Sequence, residues 1–367
     1  MEKSNFNGGD SAEVEKNNLR RANQDRGGKT LDDVKKKAET VETRGKVSRT
    51  PKVNMDDFGD VYPEKEIAED KKYVDNTEAK IGNDLDEGRR AKMFEQMFVQ
   101  GVLTGGWLGS PESNGVTAAA ASTCKYDDLK NRIDAFSTLY TRSKDGKLHA
   151  NTIGVDVTIS GAQNVIMRKL THASNDNMKR PFGFTKIKYF TNGRDRYGIE
   201  NLPRYVIGVS NYDVRDIEQM IRTNRQTGML DFGLKNAKNI ENRFKVLSEM
   251  YAENQLYLSK EPKELMTEEE RIAYKKLTTM DKRLKQALQV AAKAVALQGH
   301  IKGLPEKLEG DKLITVVENK IIERSQNYFK EEQEEMRLRN PNFKEDPNNP
   351  HNDTYVQIMT CINKLRK

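Results

Sequence analysis

Residues 151–160, NTIGVDVTIS, constrain the fold most, because they place one acid inside a short apolar run. β-Branched residues at this density are typical of a buried strand. A lone charge in such a strand costs several kcal/mol or forces a pKa shift. Asp156 is therefore expected to lie at a strand end, to be paired, or to hold a metal ion.

The composition limits how much of the 367-residue chain can pack. Hydrophobic residues make up 35% and charged residues 32%, and few aromatics occur in the first 80 residues. Such a segment buries little apolar surface, so we predict a disordered or loosely helical, flexible leader over residues 1–80, with residues 31–42 as one candidate exposed helix. The sequence contains no long apolar run and no secretory signal, and its two cysteines, Cys124 and Cys361, match no disulfide or metal spacing. These features favour a cytoplasmic protein without a membrane segment.

From Asp84 onward the pattern indicates a compact α/β core over residues 84–232. Its helices are expected from residue 84 to Gly105-Gly106, over 161–180 and over 211–223. Residues 110–124 form a small-residue loop. The strands are expected over 132–142, 149–160, 184–190 and 202–210, and the first two form a hairpin.

After Asp231 the periodicity is helical, which predicts an α-helical C-terminal region over residues 235–367. The capping-box pattern of Thr267 and Glu270 marks the start of one long helix. The apolar stripes of these helices are most simply core faces. Their charged faces leave contacts with a protein partner, or a homo-oligomer, as a further use of this region.

Three acids and one lysine form the candidate catalytic group. Glu95 lies on the first core helix, Asp134 and Asp156 lie on the two arms of the hairpin, and Lys169 lies on the next helix. Mg²⁺ prefers carboxylate oxygens, and a bound ion activates water and offsets phosphate charge. The sequence therefore predicts a Mg²⁺ site at Asp134 and Asp156, with Lys169 beside it.

Two further carboxylates, Asp127 and Asp128, rival this assignment. A pair of acids directly before a strand more often belongs to a turn or a helix cap.

The stretch Arg168–Arg204 is the most basic part of the chain, with nine basic and three acidic residues. Such an excess predicts a polyanionic partner, with a solvated face as the alternative. Aromatic residues interleave with these cations, which suits base stacking, although alternating aromatics in a strand more often belong to a core. The cations predicted to contact nucleic acid are Lys179, Arg180, Lys186, Lys188, Arg194 and Arg196.

The segments AKMFEQMFVQGVLTGGWLG, YDDLKNRIDAF and IGVDVTIS, followed by a lysine-bearing helix, resemble the PD-(D/E)xK, or restriction-endonuclease-like, nuclease superfamily over about residues 85–225. The likeness is to uncharacterised bacterial members. The resemblance implies a restriction-endonuclease-like core and metal-dependent phosphodiester hydrolysis of DNA or RNA. It places Asp134 as the first acid, Asp156 as the second and Glu95 as the helix acid.

Two departures from the family pattern keep a second function open. Ile133 stands where a proline usually precedes the first acid, and Thr158 stands where the second motif usually has its lysine. In this superfamily the lysine can lie on the following helix, which gives its role to Lys169. If Lys169 does not reach the site, the resemblance implies a catalytically inactive nuclease-like protein that binds nucleic acid or serves in assembly.

Overall fold

The fold is given by a computed structural model, which describes residues 53–81, 85–103, 106–108, 118–142, 148–175, 184–191, 195–210, 237–259, 267–297, 308–339 and 352–366. Within these ranges, eight helices and five strands make a mixed α/β fold. In chain order they are α1 (Glu64–Ile81), α2 (Leu85–Leu103), β1 (Ala118–Ser122), α3 (Lys125–Asn131), β2 (Ala135–Arg142), β3 (Leu148–Thr158), α4 (Gln163–Asn175), β4 (Phe184–Thr191), β5 (Arg196–Gly208), α5 (Ala237–Ser259), α6 (Glu268–Leu297), α7 (Gly310–Arg339) and α8 (Thr354–Arg366).

The sheet has the strand order β1-β2-β3-β5-β4. β3 and β5 pair in parallel, with Asp156 opposite Val206, and the other three pairs are antiparallel. The predicted hairpin is confirmed, with Ala135 opposite Val155. In this topology, β1, β3 and β5 end, and β2 begins, at the same end of the sheet.

The predicted capping box at the start of α6 is confirmed. The N–H of Thr267 donates to Glu270 Oε2 at 2.7 Å, and the N–H of Glu270 donates to Thr267 Oγ1 at 3.2 Å. Each bond satisfies a backbone donor that the first helical turn leaves without a partner. The helix predicted over 211–223 lies outside the described residues.

The predicted loop over 110–124 is wrong for β1. The sequence AAAAS pairs with β2 along its whole length, from Ala118 opposite Leu139 to Ser122 opposite Ala135. Alanine has a weak strand preference, so the backbone ladder and the packing decide the structure here. Ala120 is buried in the core that α2 also enters.

The predicted flexible leader is wrong for residues 53–80. These residues form a 3₁₀ turn, Met55–Phe58, and nearly all of α1. Phe58 is fully buried, and Val53 and Ile67 join it in a cluster with Ile187 and Tyr189 of β4. Widely spaced apolar residues can thus fill a sheet face although the average composition is polar. Residues 1–52, including the helix predicted over 31–42, lie outside the described residues.

Lys188 of β4 fastens this segment to the sheet. Its ammonium is bound by Asp70, and it lies 2.7 Å from Glu66 Oε1. The ammonium also lies over three tyrosine rings, 5.1–5.4 Å from their centroids, which belong to Tyr62, Tyr126 and Tyr189. Only 14% of the Lys188 side chain is exposed, so solvent weakens these interactions little.

We expect Asp70→Ala to lower the free energy of unfolding by about 1–3 kcal/mol, because Lys188 and Tyr189 both lose an acceptor. Hydrogen exchange should accelerate in α1 and stay unchanged in α5. Asp56→Asn is the matched control, since its ion pair with Lys71 is exposed and such pairs contribute about 0–1 kcal/mol. Equal losses in the two variants would contradict the role of Lys188.

Helix α5 joins the sheet to the C-terminal helices. Every side chain from Ile240 to Met250 is buried. One hydrophobic core contains Leu247 of α5, Val155 and Ile207 of the sheet, and Leu288 of α6. The core therefore runs across the boundary predicted near residue 235, and polar groups of α5 must find partners inside the protein.

Two carboxyl groups of α5 cover the lateral edge of β5. β4 pairs with β5 only up to Pro203, opposite Phe184. Beyond that point, Glu253 accepts the N–H of Val206 at 2.9 and 3.0 Å, and Glu249 accepts the N–H of Gly208 at 2.9 Å. Four helical residues rise about 6 Å and two strand residues about 6.6 Å, so the spacings match. The helix thus takes the place of a neighbouring strand.

Candidate functional site

Asp134 lies at the end of the sheet where β2 begins and β3 ends. Arg132, which ends α3 with a left-handed φ of 55°, turns the chain sharply before it. The N–H of Asp134 donates to Val155 O at 2.9 Å. Its Oδ2 accepts the N–H of Val157 at 2.6 Å, so the side chain crosses onto β3. Asp134 keeps part of its surface exposed.

Asp156 is paired on both carboxylate oxygens. Lys169 of α4 binds Oδ1, and it also donates to Val157 O at 2.8 Å. Arg204 of β5 donates to Oδ2 from Nη2 at 2.5 Å. Asp156 is 3% exposed and Arg204 is 1% exposed, whereas 26% of the Lys169 side chain reaches the surface. The structure therefore brings Asp134, Asp156 and Lys169 together around Val157.

The two aspartates have pKa values shifted in opposite directions. Burial, followed by the charges of Asp128 and Asp156, raises the pKa of Asp134 well above its usual value. Burial opposes ionisation of Asp156 too, but Lys169 and Arg204 outweigh it and lower the pKa of this carboxyl. Neighbouring carboxyls with divergent pKa values can divide acid and base roles between them.

Glu95 lies on α2, beside the end of β1. Its side chain is 5% exposed, and its Oε2 accepts a hydrogen bond from Lys92 Nζ at 2.5 Å. The side chain of Ser122, at the end of β1, also hydrogen-bonds it. Burial raises the pKa of Glu95, and its charge in turn raises the pKa of Asp134. Glu95 thus acts on Asp134 through its field, while its hydrogen bonds go to Lys92 and Ser122.

The rival acids have separate roles. Asp127 is fully buried and accepts the backbone N–H groups of Lys188 and Tyr189 at 2.8 and 3.0 Å, which joins α3 to β4. Asp128 pairs with Lys125 at 3.1 Å and raises the pKa of Asp134. Asp127 is therefore structural, and Asp128 belongs to the electrostatic surroundings of the site.

Sequence reasoning missed Arg204 as the partner of Asp156. Its segment, LPRYVIGVS, is apolar apart from this one charge. A lone cation in a buried strand needs a partner for the same reason as a lone acid does. Parallel pairing of β3 and β5 sets Arg204 opposite Gly154, two residues from Asp156.

The cations predicted to contact nucleic acid are only partly described. Lys179, Arg180 and Arg194 lie outside the described residues. Lys186 is half-buried, and Arg196 is exposed and lies 3.4 Å from Asp60. The ammonium of Lys188 is neutralised within the protein by α1.

The interleaved aromatics of this region are core residues. Tyr189 and Phe190 are buried, and Tyr197 packs on Phe190 with ring centroids 5.1 Å apart. The core interpretation of these rings is therefore confirmed for Tyr189 and Phe190.

Among the residues that the structure describes, no group of three or more His, Cys, Asp or Glu side chains is placed to hold a metal ion. Mg²⁺ is commonly held by one or two protein carboxylates, with water and phosphate completing the coordination. Asp134 and Asp156 supply oxygen donors of this type. Their mutual repulsion, which contributes to the raised pKa of Asp134, is an interaction that a bound cation would relieve.

No helix within the described ranges is long and apolar enough to cross a membrane. Comparison of the chain with protein-family models, with curated proteins and with solved structures gave no match. The interpretation of the site therefore depends on the geometry of Asp134, Asp156, Lys169 and Arg204.

Proposed function

We propose that the protein is a nuclease-like enzyme that hydrolyses phosphodiester bonds of DNA or RNA with a divalent cation, most simply Mg²⁺. The observation that carries the proposal is the position of Lys169. Its ammonium binds Asp156 and the carbonyl of Val157, whose N–H in turn binds Asp134. Helix α4 thus supplies a lysine beside Asp156, whereas the second motif itself has Thr158 at the usual lysine position.

The local structure around Thr158 supports this assignment. Thr158 Oγ1 accepts the N–H of Ser160 at 3.3 Å, and Ser160 Oγ accepts the N–H of Ala162 at the same distance. Thr158 therefore starts the turn that leads into α4. The same turn brings Lys169 back over the end of β3. We propose a restriction-endonuclease-like core because a helix acid, two hairpin acids and a helix lysine follow one another along the chain in the order typical of that superfamily.

Asp134, Asp156 and Lys169 would have different roles in the reaction. Asp134 and Asp156 would hold the cation, and Lys169 would keep Asp156 ionised and place positive charge near the phosphate. A bound divalent cation lowers the pKa of a water molecule and neutralises phosphate charge. Burial raises the pKa of Asp134, so it retains a proton more strongly than an ordinary aspartate, and a bound cation would favour its ionised form.

Cleavage of single- and double-stranded DNA and RNA, with Mg²⁺ or Mn²⁺ and with a chelator, tests the proposal. Asp134→Asn keeps an acceptor for Val157, and Lys169→Met keeps the length of the side chain. Each is expected to reduce the rate by about 100-fold or more. Asp311→Asn, at an exposed ion pair between α7 and α6, should cleave like the wild type. Equal rates in the wild type and Asp134→Asn would sink the proposal.

A second function, nucleic-acid binding without turnover, is favoured by the pairing of Asp156. Both of its oxygens are bound by cations inside the protein. Such a protein should bind labelled DNA or RNA in the presence of a chelator, with an affinity that falls steeply as salt increases. Binding that does not respond to salt would contradict a phosphate contact surface. Assembly through the C-terminal helices stays a prediction.

A further inference from the structure

Lys169 and Arg204 differ in their exposure and in their surroundings at Asp156. Lys169 has a second acceptor in Val157 O and lies in the field of Asp134. Arg204 approaches from the protein interior and donates to the other oxygen, Oδ2. Lys169 therefore lies on the solvent-exposed side of the site, and Arg204 lies on its buried side.

A second carboxyl lies near Arg204. Tyr257 donates to the backbone carbonyl of Arg204 at 3.1 Å and lies 3.0 Å from Glu253 Oε2. Burial raises the pKa of Glu253, and the charge of Arg204 offsets a part of this rise. Arg204 therefore binds Asp156 directly and acts on the Glu253 carboxyl of α5 through its charge.

We propose that Arg204 is a positioning residue that occupies Asp156 in place of a divalent cation and must leave Oδ2 before this carboxylate binds one. Two single positive charges on one carboxylate equal the charge of a divalent ion. A further divalent charge beside both would be repelled strongly in a buried site. The inference rests on the proposed function and adds to it a competition for the metal site.

Calorimetric titration of the full chain with Mn²⁺ tests the competition. Arg204→Met removes the competing charge, and Arg204→Gln removes it while keeping a donor for Oδ2. Both are expected to bind Mn²⁺ about tenfold or more tightly than the wild type. Arg243→Met is the matched control, because Arg243 is an equally buried arginine that binds Trp107 O instead. Its Mn²⁺ affinity should equal that of the wild type.

Three outcomes are distinguishable. Tighter binding in the Arg204 variants alone supports the competition, because a purely structural role of Arg204 would lower stability without raising affinity. Unchanged affinity in these variants, combined with loss of binding in Asp134→Asn, overturns the competition and leaves the proposed function standing. Absence of Mn²⁺ binding in every variant overturns both.

The unsubstituted protein gives an independent readout if the Arg204 variants do not fold. Buried guanidinium groups give slowly exchanging NMR signals, and Arg243→Met identifies the signal of Arg243 by its loss. Saturating Mg²⁺ is expected to shift a buried arginine signal that persists in Arg243→Met. If every buried arginine signal stays in place while Mg²⁺ binds, the competition is overturned.

Discussion

Glu253→Gln is expected to remove a large pH dependence from the stability of the protein. Burial raises the pKa of Glu253 to about 8, although the N–H of Val206 and the hydroxyl of Tyr257 favour its ionised form. An unfolded glutamate has a pKa of about 4.3. The folded protein therefore holds a proton on Glu253 over a pH range in which the unfolded chain has lost it.

This difference in pKa determines how the free energy of unfolding changes with pH. The contribution of Glu253 to stability is complete below about pH 4.3 and is lost progressively as the pH rises towards about 8. The loss amounts to about 3–5 kcal/mol, at about 1.4 kcal/mol for each pH unit. Glutamine is neutral throughout and keeps an oxygen for Val206. The variant should match the wild type in acid and exceed its stability above about pH 8.

Urea unfolding across this pH range measures the effect directly. Glu323→Gln, on an exposed ion pair of α7, should give the same pH profile as the wild type. Parallel stability curves for Glu253→Gln and the wild type would show that Glu253 is ionised in the folded protein. The capping of β5 by α5 would then involve a charged carboxylate.

Gly161→Ala is expected to displace helix α8. A Cβ atom at residue 161 would lie 1.8 Å from the carbonyl oxygen of Asn352 and 2.4 Å from its carbon. Both are backbone atoms of the segment directly before α8, so no rotamer change relieves the clash. Movement of α8 would uncover Tyr355, Ile358 and Ile362, all fully buried. We expect a loss of about 2–4 kcal/mol in the free energy of unfolding.

Chemical unfolding, together with hydrogen exchange in α8, measures this loss. Gly59→Ala is the matched control, because nothing lies within 4 Å of its added Cβ and its φ of −64° suits alanine. It should be neutral or stabilising by about 0.4–1 kcal/mol. If Gly161→Ala unfolds like Gly59→Ala, α8 does not pack on this glycine as described.

The long elements could be predicted because their information is local. The side chains of α5, α6, α7 and α8 repeat with a helical period, and β3 and β4 carry β-branched and aromatic residues. β1 could not be predicted in this way, since AAAAS becomes a strand only through its ladder with β2. Residues 53–80 were missed because a few apolar side chains, such as Phe58, act through distant neighbours.

The candidate site was predictable only in part. An acid in an apolar strand signals a buried partner, and the helix after β3 limits where a lysine can return. This was enough to place Lys169 with Asp156. Arg204 was assigned to a basic stretch, although its own apolar strand carried the same signal. The separation of Glu95 from Asp156 depends on which sheet face each helix covers, which no spacing along the chain reveals.

The carboxyl groups of Glu249 and Glu253 on α5 also affect the order in which the chain becomes protected during synthesis. β5 leaves the ribosome before α5, with residues 209–236 between them. Until α5 arrives, the backbone donors of Val206 and Gly208 face a vacant edge that another extended chain could occupy. Glu249 and Glu253 therefore do more than stabilise the finished fold. They end the period in which the growing sheet can pair with a neighbouring molecule.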